Sequence, residues 1–312
     1  MKTLITGAAG NLGSILARYL LDHEAGLLRL MVHRYDVPAD LKVPGKSEVV
    51  RADLARRETL VAAVQGVDVI VHFAGVLFKA RPERFLPTTN TEYFKNLVDV
   101  ALAHGVPKII LISFPHVEGP TSFANPARGR LDGNPISVHA KTRLEEEKYL
   151  LSKMPKPVSL RVGMVYGRGI LMVDAARWLA QRRLLGMWRE PTQIHLISKE
   201  DFCATCAAAI TSETASGIYH VGDEGRVTLQ EFLVLACRQW GFAPPWIMPL
   251  GLIYTAAGLC EFYSMITGST SPLTRDFIDI GRVSYFGDPG RMRKELRPSL
   301  KYQTVVEGLH TL

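Results

Sequence analysis

Cysteine is scarce, with four residues in a chain of 312, which excludes a disulfide-stapled scaffold. Charge is also modest. Charged residues make up 21% of the chain against 47% for AVILMFWYC, a balance that excludes disorder and allows a large buried core. The 26 glycines and 18 prolines follow no G-X-Y period, so a collagen-like rod is excluded. Internal repeats and low-complexity tracts are missing, which excludes solenoids and propellers. Long apolar runs are missing as well. Met1–Thr6 is shorter than the roughly 7–15 apolar residues of a secretory core, so the cytoplasm is the expected compartment. Between Arg238 and Glu261 there is no charge, but Pro244, Pro245 and Pro249 interrupt the stretch. The remaining run, Leu250 to Cys260, falls short of the ~20 residues of a spanning helix. It reads as a helix that is buried or packed on a partner, and no membrane association is expected. Peripheral membrane contact and dimerisation are the alternatives.

What is present is a basic excess. Lys and Arg number 37 against 30 Asp and Glu, a formal net charge of +7. Such an excess suits a nucleic acid, an anionic membrane, or a phosphorylated ligand or cofactor. No base-stacking or groove-reading motif accompanies it, so nucleic acid is not an expected partner. The length fits one large domain or two intimate ones. Short apolar segments alternate with helical patterns. Strands are expected at Lys2–Thr6, Leu28–Val32, Glu48–Ala52, Asp68–Phe73, Lys108–Ser113 and Ser159–Arg161. Helices are expected at Ser14–Asp22, Thr59–Val64, Asn90–His104 and Val138–Ser152. This alternation predicts a parallel sheet covered on both faces. After Gly163 the rhythm changes. Helices are expected at Leu171–Arg183, Asp201–Ser212 and Thr228–Trp240, with strands at Gln193–Ser198 and Gly217–Val221 and Thr228 as an N-cap. The expected fold class is a doubly wound α/β sheet of Rossmann type over residues 1–165. A smaller α/β C-terminal substrate lobe follows over 166–312, and the chain crosses between the two more than once.

The first strand runs into Gly7-x-x-Gly10-x-x-Gly13 and then a helix. Glycines let the backbone approach an anion closely, and the unpaired N–H groups of the helix N-terminus face it. This is the setting for a dinucleotide pyrophosphate. The end of the second strand should carry the group that reads the adenosine ribose. An acidic residue there accepts from the 2′-hydroxyl of NAD, and a basic one pairs with the 2′-phosphate of NADP. The sequence has His33-Arg34-Tyr35-Asp36. Arg34 can meet a phosphate bidentately, so NADP(H) is the preferred cofactor. Asp36 is the competing reader and would favour NAD(H).

Together these residues resemble the extended short-chain dehydrogenase/reductase family, also called the NAD-dependent epimerase/dehydratase family. The likeness spans nearly the whole chain. Thr6 through Gly13 looks like the family's cofactor loop, with Gly7, Ala9, Gly10, Asn11, Leu12 and Gly13 against the dinucleotide. Asp53 and Leu54 resemble its adenine-contacting position, with His33 and Arg34 nearby. His72-Phe73-Ala74-Gly75 matches the strand end beside the cofactor, and Asn90 opens the family's long helix. Arg161 through Gly167 resembles the nicotinamide-side turn and contributes Val165. The resemblance implies a bound NAD(P), a small-molecule substrate and often a homodimer. It also implies hydride transfer between nicotinamide and a carbonyl, alcohol or nucleotide sugar. The family's chemistry rests on a Tyr-x-x-x-Lys pair and a serine on the fifth strand. Here that segment is His139-Ala140-Lys141-Thr142-Arg143, so His139 stands in the Tyr position and Arg143 in the Lys position. Counting back from Gly119, the serine position falls on Phe114, with Ser113 one residue earlier.

Histidine titrates near neutral pH without a lysine to bring it into range, so His139 is the candidate proton donor and acceptor. Arg143 can hold ribose hydroxyls and keep positive charge beside a developing oxyanion. Ser113 is the candidate polar partner on the substrate side. The other reading is a degenerate site that binds cofactor as a regulatory or scaffold protein. Arg128, Arg130, Lys141 and Arg143 read either as a seat for an anionic substrate or as a solvated face. His116 and Glu118 could replace the missing serine or tyrosine. Cys203 and Cys206 have CxxC spacing but no second ligand pair, so no metal is expected.

Overall fold

The apolar runs become the strands of one parallel sheet because each is short, rich in Val, Ile or Leu, and bounded by turn or loop residues. The computed structural model describes residues 1–76, 79–267, 271 and 273–312. Six strands come first: β1 (Lys2–Thr6), β2 (Leu27–Val32), β3 (Ser47–Arg51), β4 (Val69–His72), β5 (Lys108–Ser113) and β6 (Lys156–Val162). Their helices are α1 (Asn11–Asp22), α2 (Arg57–Val64), α3 (Tyr93–Ala103) and α4 (Val138–Lys153). The seventh strand of the sheet is Gly217–Val221, which returns from the C-terminal half to pair with β6. In space the order runs from that strand through β6, β5, β4, β1 and β2 to β3, all parallel. The order reverses between β1 and β4. In open α/β sheets ligands bind outside the strand C-termini at that point.

Two apolar layers cover the sheet. On one face Leu4, Ile70, Ile109 and Leu111 pack on α2, α3 and α4. On the other, Ile5, Val69, Val71 and Ile110 share a core with α1 and the second lobe. That lobe contains α5 (Leu171–Gln181), α6 (Lys199–Thr211), α7 (Leu229–Gln239), α8 (Leu250–Thr267) and α9 (Arg275–Arg282). Thr228 caps α7 through a full capping box with Glu231. The expected strand Gln193–Ser198 is split at His195, whose carbonyl accepts from Met164 N at 2.8 Å. Gln193–Ile194 then pairs with Val227–Thr228, and Leu196–Ser198 with Met164–Tyr166.

The sequence reading of the uncharged stretch requires correction. The uncharged run Leu250–Cys260 is part of a longer helix, Leu250–Thr267. It is also not a buried helix: Leu252, Leu259, Phe262 and Ile266 all face outward. Apolar composition all round reads as burial when no partner face can be seen.

At the sheet's C-terminal edge lies one fully buried cation, Arg161 of β6. Its guanidinium Nη2 donates to Glu147 Oε2 of α4 at 2.6 Å and to the Arg130 carbonyl at 2.8 Å. Its Nη1 donates to Glu118. Ser159 Oγ donates to the same Glu147 at 2.8 Å, and Glu118 accepts the Gly129 N–H at 2.7 Å. Burial pushes the Glu118 carboxyl up, but the hydrogen bond from His220, Arg161 and the Gly129 N–H hold it below its ordinary range. One side chain therefore fastens α4 and the loop after β5 to the sheet. Replacing Arg161 by Met leaves two carboxylates buried beside it without their cation. Urea unfolding of Arg161→Met should show a loss of about 3–5 kcal/mol, and a loss below about 1 kcal/mol would mean that the clamp is dispensable.

Candidate active site

Gly7 has φ +68°, and a Cβ at Gly13 would collide with the Gly7 carbonyl oxygen. The two glycines thus let α1 start directly against the strand end. Gly10 is the N-cap of α1 and supplies no side-chain acceptor. The first N–H groups of the helix consequently point outward uncapped, an anion seat. Ala9, Gly10 and Asn11 are exposed there, Leu12 is half-buried, and Gly13 is buried. Asn11 ties this loop to the second lobe, donating to Gly169 O at 2.8 Å and accepting from Leu171 N at 3.0 Å.

Arg34, just past β2, is exposed and makes no hydrogen bond or ion pair within the described residues. Its rival Asp36 is engaged, with Lys42 Nζ at 2.6 Å, and that hydrogen bond holds its carboxyl below the ordinary range. Asp53 accepts from Ala55 N at 2.9 Å and lies 3.6 Å from both His33 Nε2 and Arg56 Nε. Leu54 packs at the edge of the α2–α3 core.

Ser137 caps α4, accepting from Ala140 N at 3.1 Å. This fixes the helix start so that His139 and Arg143, four residues apart, share one face. Both line a small cavity with Phe73, Gly75, Val76, Asn90 and Phe114. Asn90 arrives through a π-helical turn, Pro87–Glu92, that leads into α3. Its side chain accepts from Val76 N at 3.5 Å. Ala74 N donates to Thr6 Oγ1 at 3.3 Å beside it.

His139 Nδ1 lies 2.6 Å from Asp276 Oδ2, and its Nε2 lies 3.2 Å from the Val76 carbonyl. Both partners are acceptors, so the protonated ring has a partner for each N–H. The carboxylate fixes the ring plane and the tautomer. Asp276 sits in the first turn of α9, where the helix dipole favours its charge. Arg143 Nη1 pairs with Glu146, whereas its Nε is buried with no acceptor among the described residues. An orphaned buried donor costs about 1–3 kcal/mol, and the hydroxyls of a ribose are suited to satisfy it. His72, buried beneath, is held well below its ordinary range by burial and by the nearby Arg143. It is neutral, with Thr6 Oγ1 2.9 Å from Nδ1.

Several sequence expectations change here. Ser113 is buried with an unpartnered hydroxyl and is not among the residues lining the cavity; Phe114 is. Strand alternation explains this, since Ser113 shares a face with Ile109 and Leu111 while Phe114 takes the other. Val165 is core rather than cavity wall. The four basic residues do not converge. Arg130 pairs with Asp132 at 2.8 Å and Lys141 is exposed. Arg128 lines a separate cavity of about 340 Å³ with Ile218, His220, Asp288 and Arg291. Glu118 belongs to the Arg161 clamp. His116 packs on Tyr285 with ring centroids 4.1 Å apart, and burial lowers it to about 4, which keeps it neutral. Cys203 and Cys206 are buried in α6, and burial pushes the Cys203 thiol up to about 12. Within the described residues no group of His, Cys, Asp and Glu could hold a metal. The sequence reading missed Asp276 altogether; its only local signal is Thr274, the cap of a short helix.

Residues 7–150 match the family model described as NAD(P)H-binding. Uronate dehydrogenase of Pseudomonas syringae pv. tomato is 36% identical over 118 residues, 38% of this chain and 41% of that protein. The chain therefore matches about two-fifths of the length of that relative. Ceramide reductase of Caulobacter vibrioides is 27% identical over 274 residues, 86% of this chain and 80% of that protein. The solved structure of a dTDP-glucose 4,6-dehydratase from Streptomyces venezuelae, with NAD bound, superimposes with a TM-score of 0.79. It is 18% identical and covers 100% of this chain and 95% of that one, a likeness in fold. Residues 7–150 are thus similar to NAD(P)H-binding proteins, and the chain shares its fold with the dehydratase. At the Tyr and Lys positions of the family it resembles, this chain has His139, paired with Asp276, and Arg143.

Burial pushes the Glu146 carboxyl up to about 7, against the pull of Arg143 and with a push from Glu147. The folded protein keeps this proton at pH values where the unfolded chain has released it. The resulting stability is complete below about pH 4.5 and is lost as pH rises through about 7. The stability of the unaltered chain relative to Glu146→Gln should therefore fall across that window in urea titrations. A pH-independent difference would show that Glu146 does not titrate there.

Proposed function

We propose that the chain is an NADP(H)-preferring oxidoreductase that interconverts a small carbonyl compound and its alcohol. The observation that carries this reading is that His139, backed by Asp276, and Arg143 line one cavity with Asn90 at the C-terminal ends of the strands. The α1 N-terminus would hold the pyrophosphate, Arg34 the 2′-phosphate, and Arg143 the nicotinamide ribose hydroxyls. When bound, a nicotinamide supplies a hydride donor or acceptor. The chain's own residues handle the proton. His139 gives or takes it at Nε2, which must exchange the Val76 carbonyl for the substrate oxygen, while Asp276 accepts from Nδ1 and holds the ring. Arg143 keeps positive charge beside the oxygen on which negative charge develops. Phe114 closes the wall where the family has a serine and excludes water there.

The names of the similar proteins, uronate dehydrogenase and ceramide reductase, support an oxidation or reduction. They differ in substrate polarity. A nucleotide sugar is the alternative substrate, supported by fold likeness to the dehydratase. A second reading, a cofactor-binding regulatory or scaffold protein, draws on the loss of the Tyr, Lys and Ser from positions 139, 143 and 114.

The test is NADPH oxidation with a panel of aldehydes and ketones. On any substrate turned over, His139→Ala should lower kcat by about 10²–10⁴ without weakening NADPH binding. An unchanged kcat would remove His139 from the chemistry, and no turnover across the panel would favour the regulatory reading. Arg34→Ala should weaken NADPH by about tenfold to a hundredfold and leave NADH nearly unchanged. Equal effects on both would mean that Arg34 does not read the 2′-phosphate.

A further inference from the structure

Helix α8 is an amphipathic helix turned inside out. Tyr254, Ala257, Glu261 and Ser264 recur at helical spacing on the more buried side. Leu259, Phe262, Tyr263 and Ile266 on the other side are 59–70% exposed. Trp246 and Ile247, on the short strand just before α8, are 61% and 58% exposed. A soluble helix places these two faces the other way round, and an apolar surface of this extent marks a contact site.

Charge identifies the occupant. Glu261 is the only charged residue within α8, and Arg275 neutralises it, with Nε 2.9 Å from Oε2. Exposed arginines adjoin the two apolar elements, Arg182 and Arg183 beside Trp246 and Arg282 beside Tyr254, whose hydroxyl also donates to Asp279. Trp246 Nε1 donates to the Arg183 carbonyl at 3.0 Å, and Arg182 lies 4.0 Å over the Trp178 ring. Arg282 Nη1 reaches Tyr254 Oη at 3.3 Å. An apolar face with Trp and Tyr on it and arginines around it matches the interface of a bilayer carrying anionic lipids.

We propose that α8 and the Trp246–Ile247 strand form a monotopic docking surface for an anionic lipid bilayer. The helix lies on the membrane and does not cross it. Its 18 described residues, Leu250–Thr267, are long and apolar enough to cross by length and composition alone, but one side of the helix is packed on the protein, with Ala257, Glu261 and Ser264 buried. Its polar side is also tied to α9, through Tyr254 to Asp279 and Glu261 to Arg275. The residue after Arg275 is Asp276, the partner of His139, so docking would place the candidate site beside the lipid. The docking surface stands whether or not His139 supports turnover.

Flotation of the full chain with vesicles tests this directly and needs neither cofactor nor substrate. With equal parts of phosphatidylcholine and phosphatidylglycerol, the unaltered chain should float with the vesicles, and less so with phosphatidylcholine alone. The triple variant Leu259→Ser, Phe262→Ser, Ile266→Ser should partition at least about tenfold more weakly. In the unaltered chain, brominated lipid should quench a tryptophan emission that is lost in Trp246→Phe, a reading independent of how well the triple variant folds. An unaltered chain that stays unbound, or a triple variant that floats equally well, would overturn the proposal. So would light scattering that shows a dimer of the unaltered chain and a monomer of the variant, since a second copy would then cover this face.

Discussion

Arg161 is the constraint on which the geometry of the site depends. A guanidinium with no exposed surface sits between Glu147 of α4 and Glu118 of the loop after β5. Removing three charges from water is expensive, and such groups are not a general source of stability. What this cluster supplies is position. It holds α4 at one height over the sheet and pins the Arg128–Gly133 loop through the Glu118 carboxylate and the Arg130 carbonyl. It also reaches the edge strand, with His220 Nε2 3.2 Å from Glu118. Because α4 carries both His139 and Arg143, the cavity takes its shape from a pairing that never touches it.

The site then follows from two local facts. The Ser137 cap starts α4 where its first turn meets Val76, and α9 brings a carboxylate to the back of the imidazole. A tyrosine in this place would need a neighbouring cation to titrate near neutrality, whereas a histidine needs an acceptor that holds its tautomer. Arginine in place of lysine fits the same logic. It is no longer asked to tune a phenol, and its fork can face Glu146 on one side and the cavity on the other.

Much of this was legible in the chain. The strands could be read from short apolar runs, and the phosphate loop from glycines in a strand-to-helix context. The positions of His139 and Arg143 came from the family resemblance, and their i, i+4 spacing placed both on one helix face. Asp276 was not legible, because it lies 137 residues from its partner and nothing local distinguishes it from another helix-start acid. The choice of Phe114 over Ser113 was within reach, since Ile110, Ile112 and Phe114 alternate with Ile109, Leu111 and Ser113 along the chain. The exposure of α8 was out of reach. Its composition is the same whether protein, lipid or water covers it, and only the packing of Tyr254, Ala257, Glu261 and Ser264 shows which side the fold uses.

We propose that the cleft formed by α1, β4 and α4 is a nicotinamide dinucleotide site. Titration calorimetry of the unaltered chain with NADPH and then NADH decides this. Saturable binding of one equivalent of either is expected, with NADPH the tighter. An absence of binding heat for both, together with no shift in thermal unfolding at saturating concentration, would contradict it.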